Sequence, residues 1–473
     1  MAIFVPRCGR TWRKSRMAIF KKREKQPAGQ ANARRTVAFV CLGCPKNQVN
    51  AERMMAGLEA AGFALAESVY QGADAVIVNT CAFIDDAKQE AIEHILEMAA
   101  LKQDGIIKKI IVTGCLAQGY GEEIVKEIPE ADAVLGPGAN GEIARHVEAV
   151  LAGESVTELP ELSRLPLNGP RKLTSPAHWA YLQVAEGCDN RCSYCKIPGL
   201  RGAFRSRTME DILEEANLLV EQGARELVLI AQDTTRWGLD LYGELRLPAL
   251  LREICKIDEL RRVRLLYCYP DEVTDELIQV MADEPKIAKY IDLPLQHIDD
   301  RILRAMGRRG TGDEIRALLD KLRAKIPGIA IRTTFITGFP GEDEAAFEAL
   351  SAFVLERRFA HMGVFAFSPQ EGTPACALPG QIEPEIARER AEILTQQQAE
   401  IALQLQREAM GRVFEVLVDE YDPYTDSFAG RGEADAPEID SAIVFTSKEH
   451  LQAGDMAQVE VFDFKGDVLV GRA

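Results

Sequence analysis

No stretch of this 473-residue chain stays apolar for the length a membrane span requires, so it reads as a soluble, cytoplasmic protein with no membrane partner. Cysteine, at eleven residues, is too sparse for the disulfide ladder of a small secreted scaffold, and several thiols stand in metal-type spacing, which favours a reducing compartment without disulfides. The start of the chain has no apolar segment of the kind that forms the core of a secretion signal, which argues against export. Basic charge is scarce beyond that start. Residues 1–35 hold eleven Lys or Arg and one acidic residue, Glu24, leaving forty-five basic and seventy-two acidic residues in the rest. A body with a formal balance of −27 repels bulk phosphate. The basic head reads as a disordered extension. Met-Ala-Ile-Phe occurs at both Met1 and Met17, so the start site is open between them.

With 47% apolar residues, the chain has room for two or three domains with ordinary cores. The most specific pattern is GCDNRCSYC, which spaces Cys188, Cys192 and Cys195 as CxxxCxxC with Tyr194 before the last thiol. A zinc site usually pairs two CxxC hooks or adds histidines at set spacing, and neither follows here. Three thiolates can instead hold three irons of a 4Fe-4S cube and leave the fourth iron open to a ligand, which is what a cluster used for chemistry needs.

The pattern of elements predicts an α/β multidomain chain. Residues 36–151 alternate short apolar runs (TVAFVCLG, AVIVNTC, IIVTGC) with helical stretches, one of them near 51–61; this βαβ rhythm implies a parallel sheet. Each of the three runs ends in a cysteine-bearing turn, at Cys44, Cys81 and Cys115. Turns at the C-terminal ends of neighbouring parallel strands lie on one edge, so these thiols can converge on a second metal cluster. Cys41 is an extra thiol in or at the end of the first strand. Residues 152–179 carry Pro160, Pro166, Pro170 and Pro176 without a sustained period and read as a linker. From 180 to 382, six strands (YLQVAEG, ELVLIAQ, VRLLYCY, YIDLPLQ, IAIRTTFITG, MGVFAFS) separated by helices, for example 209–222 and 313–325, predict a partial, TIM-like (β/α)6 barrel. Its site would lie at the strand C-termini, where CxxxCxxC, Gln232 and Asp233, 293–297 and the GFPGE run fall. A charged helix over 383–410 leads to 411–473, whose period-two alternation and glycine turns predict a small antiparallel β-barrel. Such barrels often bind RNA, but residues 410–473 hold fourteen acidic against five basic groups, a surface suited to a basic protein.

CxxxCxxC with its aromatic, at the end of the first strand of a partial barrel, resembles the radical S-adenosylmethionine superfamily. The three-cysteine domain before it and the small barrel after it, called TRAM, make the chain similar to methylthiotransferases from Thr36 to Ala473. LGCPKN at Leu42–Asn47, NTCAFI at Asn79–Ile84 and AQDTTRWG at Ala231–Gly238 resemble the RimO type; the alternative is the MiaB type, which modifies tRNA and tends to show GCQMN and a more basic TRAM domain. The RimO resemblance implies methylthiolation of the β-carbon of an aspartate in small-subunit ribosomal protein twelve, with tRNA disfavoured. It implies two 4Fe-4S clusters, Cys188, Cys192 and Cys195 holding the radical cluster and Cys44, Cys81 and Cys115 the auxiliary one. It further implies S-adenosylmethionine, contacted by Tyr194 and by Gln232 or Asp233, and a low-potential donor such as flavodoxin or ferredoxin. AQD stands where many relatives have a glycine-glycine-glutamate run, and neither the basic head nor Cys41 has a counterpart in the family pattern.

Overall fold

The computed structural model describes residues 34–473, so all but the last two residues of the basic extension lie outside the described part. The chain divides into two compact units, one comprising residues up to Ala82 and Asp86–Thr174, the other Phe83–Asp85 and Ser175–Ala473.

The first unit contains β1 (Thr36–Cys41), α1 (Pro45–Ala60), β2 (Ala64–Leu65), β3 (Ala73–Thr80), α2 (Asp85–Gln103), β4 (Ile107–Gly114), α3 (Cys115–Glu127), β5 (Ala133–Leu135), α4 (Ile143–Leu151) and β6 (Val156–Glu158). The strands form one parallel sheet in the order β2-β1-β3-β4-β5-β6. The order turns back on itself between β1 and β3, the switch point where open α/β sheets leave a crevice outside the strand ends. Continuous apolar runs such as Ala75–Val78 are buried throughout, as strands covered by helices on both faces require. Cys41 belongs to this core, with Val37, Met54, Leu58 and Ile77, and is 3% exposed.

Two expectations change here. α1 starts at Pro45, well before 51, because its first turns bury polar side chains (Asn47, Gln48, Asn50, Glu52) and so carry no apolar period to read. Residues 152–174, expected as linker, instead supply the sixth strand and pack on their own unit. Arg171 donates to Glu52 at 2.6 Å with side chains 3% and 1% exposed, and Thr174 donates to the same carboxylate through N and Oγ1.

The second unit begins with β7 (Trp179–Gln183), β8 (Ala185–Glu186), α5 (Ile197–Arg201), β9 (Arg205–Ser206), α6 (Met209–Glu221), β10 (Glu226–Ile230), α7 (Leu239–Tyr242) and α8 (Leu247–Cys255). It continues through β11 (Arg262–Leu265), α9 (Asp275–Asp283), β12 (Ile287–Gln296), α10 (Asp300–Ala305), α11 (Gly312–Lys325), β13 (Ala330–Thr337), α12 (Glu344–Arg357) and β14 (His361–Ala366). β7, β10, β11, β12, β13 and β14 pair in that order, all parallel, as the six-stranded partial barrel. Threonine or aspartate caps start α6, α9, α10, α11 and α12, most completely at α11, where Thr311 and Glu314 form a reciprocal capping box. Then α13 (Pro384–Ala409) leads to a closed barrel of β15 (Val413–Asp422), β16 (Ser427–Arg431), β17 (Ile443–Thr446), β18 (Met456–Lys465) and β19 (Val468–Arg472). Its pairs are antiparallel except β17 with β19, which run parallel and close the barrel.

The terminal barrel spends much of its acidic charge inside the unit. The segment from Arg431 to Asp440 meets residues at or near the starts of five barrel strands: Arg264 donates to the carbonyls of Glu433 and Gly432, Tyr290 to Asp440, and Glu226 accepts from Arg431. Arg332 and His361 also face Asp440. Asp419 is held by His178 at 2.8 Å and by Arg431. The acidic surface read from composition is therefore smaller than the fourteen-to-five count suggests.

Candidate active site

Backbone geometry gathers the first cysteine trio. Cys44 is the residue before α1, Cys115 opens α3, and Cys81 follows β3, all on the C-terminal edge of neighbouring strands. Gly43 and Gly114, which precede two of the thiols, have φ of +92° and +97° and press against the end of β3. A Cβ on Gly43 would lie 2.7 Å from Cys81 Cβ, and one on Gly114 2.5 Å from Thr80 O. Only glycine permits both the left-handed turn and that approach. Asn47 staples the edge, donating from Nδ2 to Leu42 O and Thr80 O at 2.9 Å each, while Asn79 Nδ2 donates to Asn47 O at 2.8 Å. Thr80 Oγ1 accepts from Leu116 N at 3.2 Å, tying β3 to the start of α3. These buried amides and hydroxyl lie inside the LGCPKN and NTC runs, where polarity beside cysteine was the available sign of them.

The second trio occupies the loop after β7 and β8. Gly187 repeats the device with φ of +80°, its missing Cβ only 2.0 Å from Ala203 O. Cys188 N donates to Gly202 O and Cys195 N to Cys192 O, each at 3.0 Å, which curls the loop. Every sulfur has a donor nearby: a backbone hydrogen bond at Asn190 for Cys188, Ile197 N at 3.5 Å for Cys195, and Tyr269 Oη at 3.9 Å with Arg308 Nη1 at 4.0 Å for Cys192. Burial pushes the Cys188 thiol up to about 11 and the Cys195 thiol to about 12, neighbouring thiols adding to it. As bare groups they would stay protonated at neutral pH and make poor nucleophiles. Donors aimed at sulfurs that only a bound cation would deprotonate fit an iron-sulfur cluster.

The S-adenosylmethionine candidates sit around this loop. Asp233 is buried and accepts from Asn190 Nδ2 and Thr235 Oγ1, both at 2.7 Å. Gln232 donates to Glu186, which Arg201 also holds at 3.0 Å. Tyr194 is half-buried with its ring edge-on to Phe339 of the GFPGE turn, 6.4 Å between centroids. That turn is braced from behind, since Glu342 accepts from His297, Gly338 N and Arg390. Residues the sequence did not single out complete the mouth. Glu272 accepts from Arg236 and Arg309 through Oε1 and pairs with the Asp233 carboxyl. Burial first, then Asp233, raises its carboxyl to about 7, the behaviour of two acids sharing a proton. Glu142, His146 and Glu158 also approach within 4.8 Å in the first unit, but Arg145 and Arg164 already neutralise the carboxylates.

Family models match the chain in three places: the uncharacterized protein family UPF0004 at 36–136, the Radical SAM superfamily at 182–354 and the TRAM domain at 410–473. Among solved structures, the radical S-adenosylmethionine methyltransferase TsrM from Kitasatospora setae, determined with cobalamin and a 4Fe-4S cluster, is similar in fold. It aligns at a TM-score of 0.56 and 16% identity over 72% of this chain and 77% of that one. Fold and matched models together define a radical S-adenosylmethionine enzyme, a class that works with a 4Fe-4S cluster and S-adenosylmethionine. Ribosomal protein uS12 methylthiotransferase RimO of Desulforamulus reducens is 47% identical over 92% of this chain and 99% of its own length. The enzymes of that name from Heliobacterium modesticaldum and Anaeromyxobacter sp. are 45% and 46% identical over 92% and 91% of this chain. The chain belongs to this RimO family and is a radical S-adenosylmethionine methylthiotransferase. No helix among the described residues is long and apolar enough to cross a membrane.

Proposed function

We propose that this enzyme attaches a methylthio group to the β-carbon of an aspartate in ribosomal protein uS12, using two 4Fe-4S clusters. Cys188, Cys192 and Cys195 would hold the radical cluster, and Cys44, Cys81 and Cys115 the auxiliary one. The observation that carries this reading is the repeated device of a left-handed glycine before Cys44, Cys115 and Cys188, each packed so closely that an added Cβ would meet a neighbouring atom at 2.7 Å or less. Six thiols split into two groups of three suit clusters with an open iron better than electron carriers, which fill all four positions with protein ligands.

Replacing an unactivated C–H bond by C–S is beyond side-chain acid-base chemistry; the bound cofactors supply a carbon-centred radical and the transferable sulfur. The chain's own groups bind and orient. Asp233 and Gln232, beside the cysteine loop, would accept from the amino group of S-adenosylmethionine, and Tyr194, packed nearly at right angles to Phe339 of the GFPGE turn, would contact the same molecule. Asn190 and Thr235 hold Asp233 in place, and the buried strand ends around it keep water from the reacting atoms. The reductant would be a low-potential protein such as flavodoxin or ferredoxin.

The test is anaerobic incubation of the iron-loaded enzyme with S-adenosylmethionine, a reductant and either uS12 or tRNA, followed by mass spectrometry. Methylthio mass on an aspartate of uS12 is expected. Its appearance on tRNA alone would replace this reading by the tRNA-modifying one.

A further inference from the structure

We propose that Arg308, stacked on Tyr269, forms with it an outer shell for the Cys192 sulfur that sets the reduction potential of the cluster at this site. The inference rests on Cys188, Cys192 and Cys195 holding a cluster.

The placement starts from backbone. α10 ends at Ala305, and the turn after it is laced to the cysteine loop: Ser193 N donates to Met306 O at 2.8 Å and Ser193 Oγ to Ala305 O at 2.7 Å. Gly307, at φ of +69°, would bring a Cβ to 2.6 Å from Arg191 O, so the turn runs against the loop where only glycine fits. The next residue, Arg308, is thereby fixed beside Cys192. Its Nη2 donates to Pro294 O at 2.6 Å, its Nη1 reaches Cys192 Sγ at 4.0 Å, and its guanidinium lies 3.9 Å from the centre of the Tyr269 ring. Tyr269 is 8% exposed, is anchored through its N–H on Thr235 Oγ1 at 2.9 Å, and brings its own hydroxyl to 3.9 Å from the same sulfur. Arg309, held by Asp271 at 2.6 Å, also lies over the ring.

Two side-chain donors, one of them a fixed positive charge, thus converge on one of the three sulfurs, whereas Cys188 has only the uncharged backbone and side-chain donors of Asn190 and Cys195 the backbone donor of Ile197. When one electron passes to the site from a low-potential donor, the charge held by iron, sulfide and thiolates becomes one unit more negative. A cation a few ångströms away stabilises that state over the oxidised one, and hydrogen bonds to ligand sulfur act in the same direction. Arginine suits this place because its planar head can stack, donate to a carbonyl and present a further N–H to sulfur at once, whereas a lysine would bring the charge without that geometry.

The experiment is an EPR-monitored dithionite titration of the full-length, anaerobically reconstituted protein, following the signal that is missing from the Cys188→Ala variant. Arg308→Met, which keeps bulk and removes charge, should make reduction about tenfold less favourable, a shift of ~59 mV to more negative potential for one electron. Tyr269→Phe should shift it the same way by less, Arg308→Lys should lie between parent and Arg308→Met, and Arg304→Met, exposed on α10, should leave it unchanged. Unaltered potentials in Arg308→Met and Tyr269→Phe at parental iron content would overturn the proposal, as would equal shifts in Arg308→Met and Arg308→Lys. If Arg308→Met fails to load iron, Tyr269→Phe decides. A parent without iron bound at Cys188, Cys192 and Cys195 would overturn the cluster assignment itself.

Discussion

Arg264 Nε donates to Glu226 Oε1 at 2.8 Å with both side chains fully buried, and Glu226 is shared with Arg431 from the terminal barrel. One carboxylate at the start of β10 therefore joins the floor of the partial barrel to the last residue of β16. Arg262 adds donors to the carbonyls of Arg431 and Gly432 at 2.9 and 3.0 Å. The terminal barrel is here a fixed end-piece of the partial barrel, packed at the strand starts and away from the strand C-termini beside which the Cys188–Cys195 loop lies.

Removing that carboxylate should destabilise the protein strongly. Glu226→Gln leaves the buried Arg264 guanidinium without its counter-charge and Arg431 with Asp419 alone, a class of change that costs about 3–5 kcal/mol. Urea unfolding of parent and variant at pH 7 measures it. The pH dependence has a definite sign, because Arg431 and Arg264 hold the Glu226 carboxyl down at about 2 against the burial that would raise it. Its contribution is complete above the ordinary value of ~4.3 and is lost as pH falls toward about 2. The gap between parent and variant should therefore close between pH 5 and pH 2.

Glu272 should show the opposite slope. Burial and the Asp233 charge raise its carboxyl to about 7, so its protonated form favours the folded state. That contribution is complete below ~4.3 and disappears as pH rises through about 7. Glu272→Gln, which cannot ionise, should flatten unfolding free energy against pH between about 5 and 7.5 relative to the parent. Parallel curves would place the shared proton elsewhere.

The two cysteine trios should separate by iron and turnover. If Cys188, Cys192 and Cys195 hold the radical cluster as proposed, Cys188→Ala takes away one of its three protein ligands and should abolish reductive cleavage of S-adenosylmethionine. Cys81→Ala or Cys115→Ala should lower iron by about half, for two clusters of equal size, yet leave some uncoupled 5′-deoxyadenosine formation. Iron assays and chromatography of that product read both. Unchanged iron and methylthiolation in the Cys81 and Cys115 variants would remove the auxiliary site.

The strands and both cysteine trios were legible because each rests on a local signal: apolar runs of strand length, and thiols in turns after them. What was not legible came from long-range pairing. Asn47, Tyr269, Glu272 and Arg308 owe their roles to partners 33 to 116 positions away, such as Thr80 for Asn47 and Cys192 for Arg308, and a polar residue in a turn looks the same with or without such a partner. Within the stretch read as a linker, 152–179, the packing of Arg171 and Thr174 was hidden for the same reason, since they find Glu52 more than a hundred residues back. Charge counting also misled in part, for a composition cannot distinguish an acid facing solvent from one such as Asp440, whose side chain is 1% exposed between Arg332 and His361.

That distinction sharpens the prediction about the substrate. Of the acids first read as a binding face, Asp419 is held by His178 and Arg431, Asp435 lies against His361, and the Glu433 carbonyl accepts from Arg264. Glu420 is exposed, and with Asp422 and Asp426 it surrounds the hairpin tip carrying Tyr424, which is 91% exposed. Reversing Glu420, Asp422 and Asp426 together to lysine should weaken binding of the basic protein uS12 by about tenfold, or ~1.4 kcal/mol, while iron content and unfolding midpoint stay at parental values. The difference should shrink as salt rises, because exposed charges are screened beyond about 10 Å at 0.1 M ionic strength. Asp419→Lys should instead lower stability, since it sets a cation against Arg431 and His178. Affinities for uS12 and for tRNA, measured side by side at two salt concentrations, decide the matter: unchanged uS12 binding by the triple variant, or tight specific binding of tRNA by the parent, would remove the hairpin from substrate recognition.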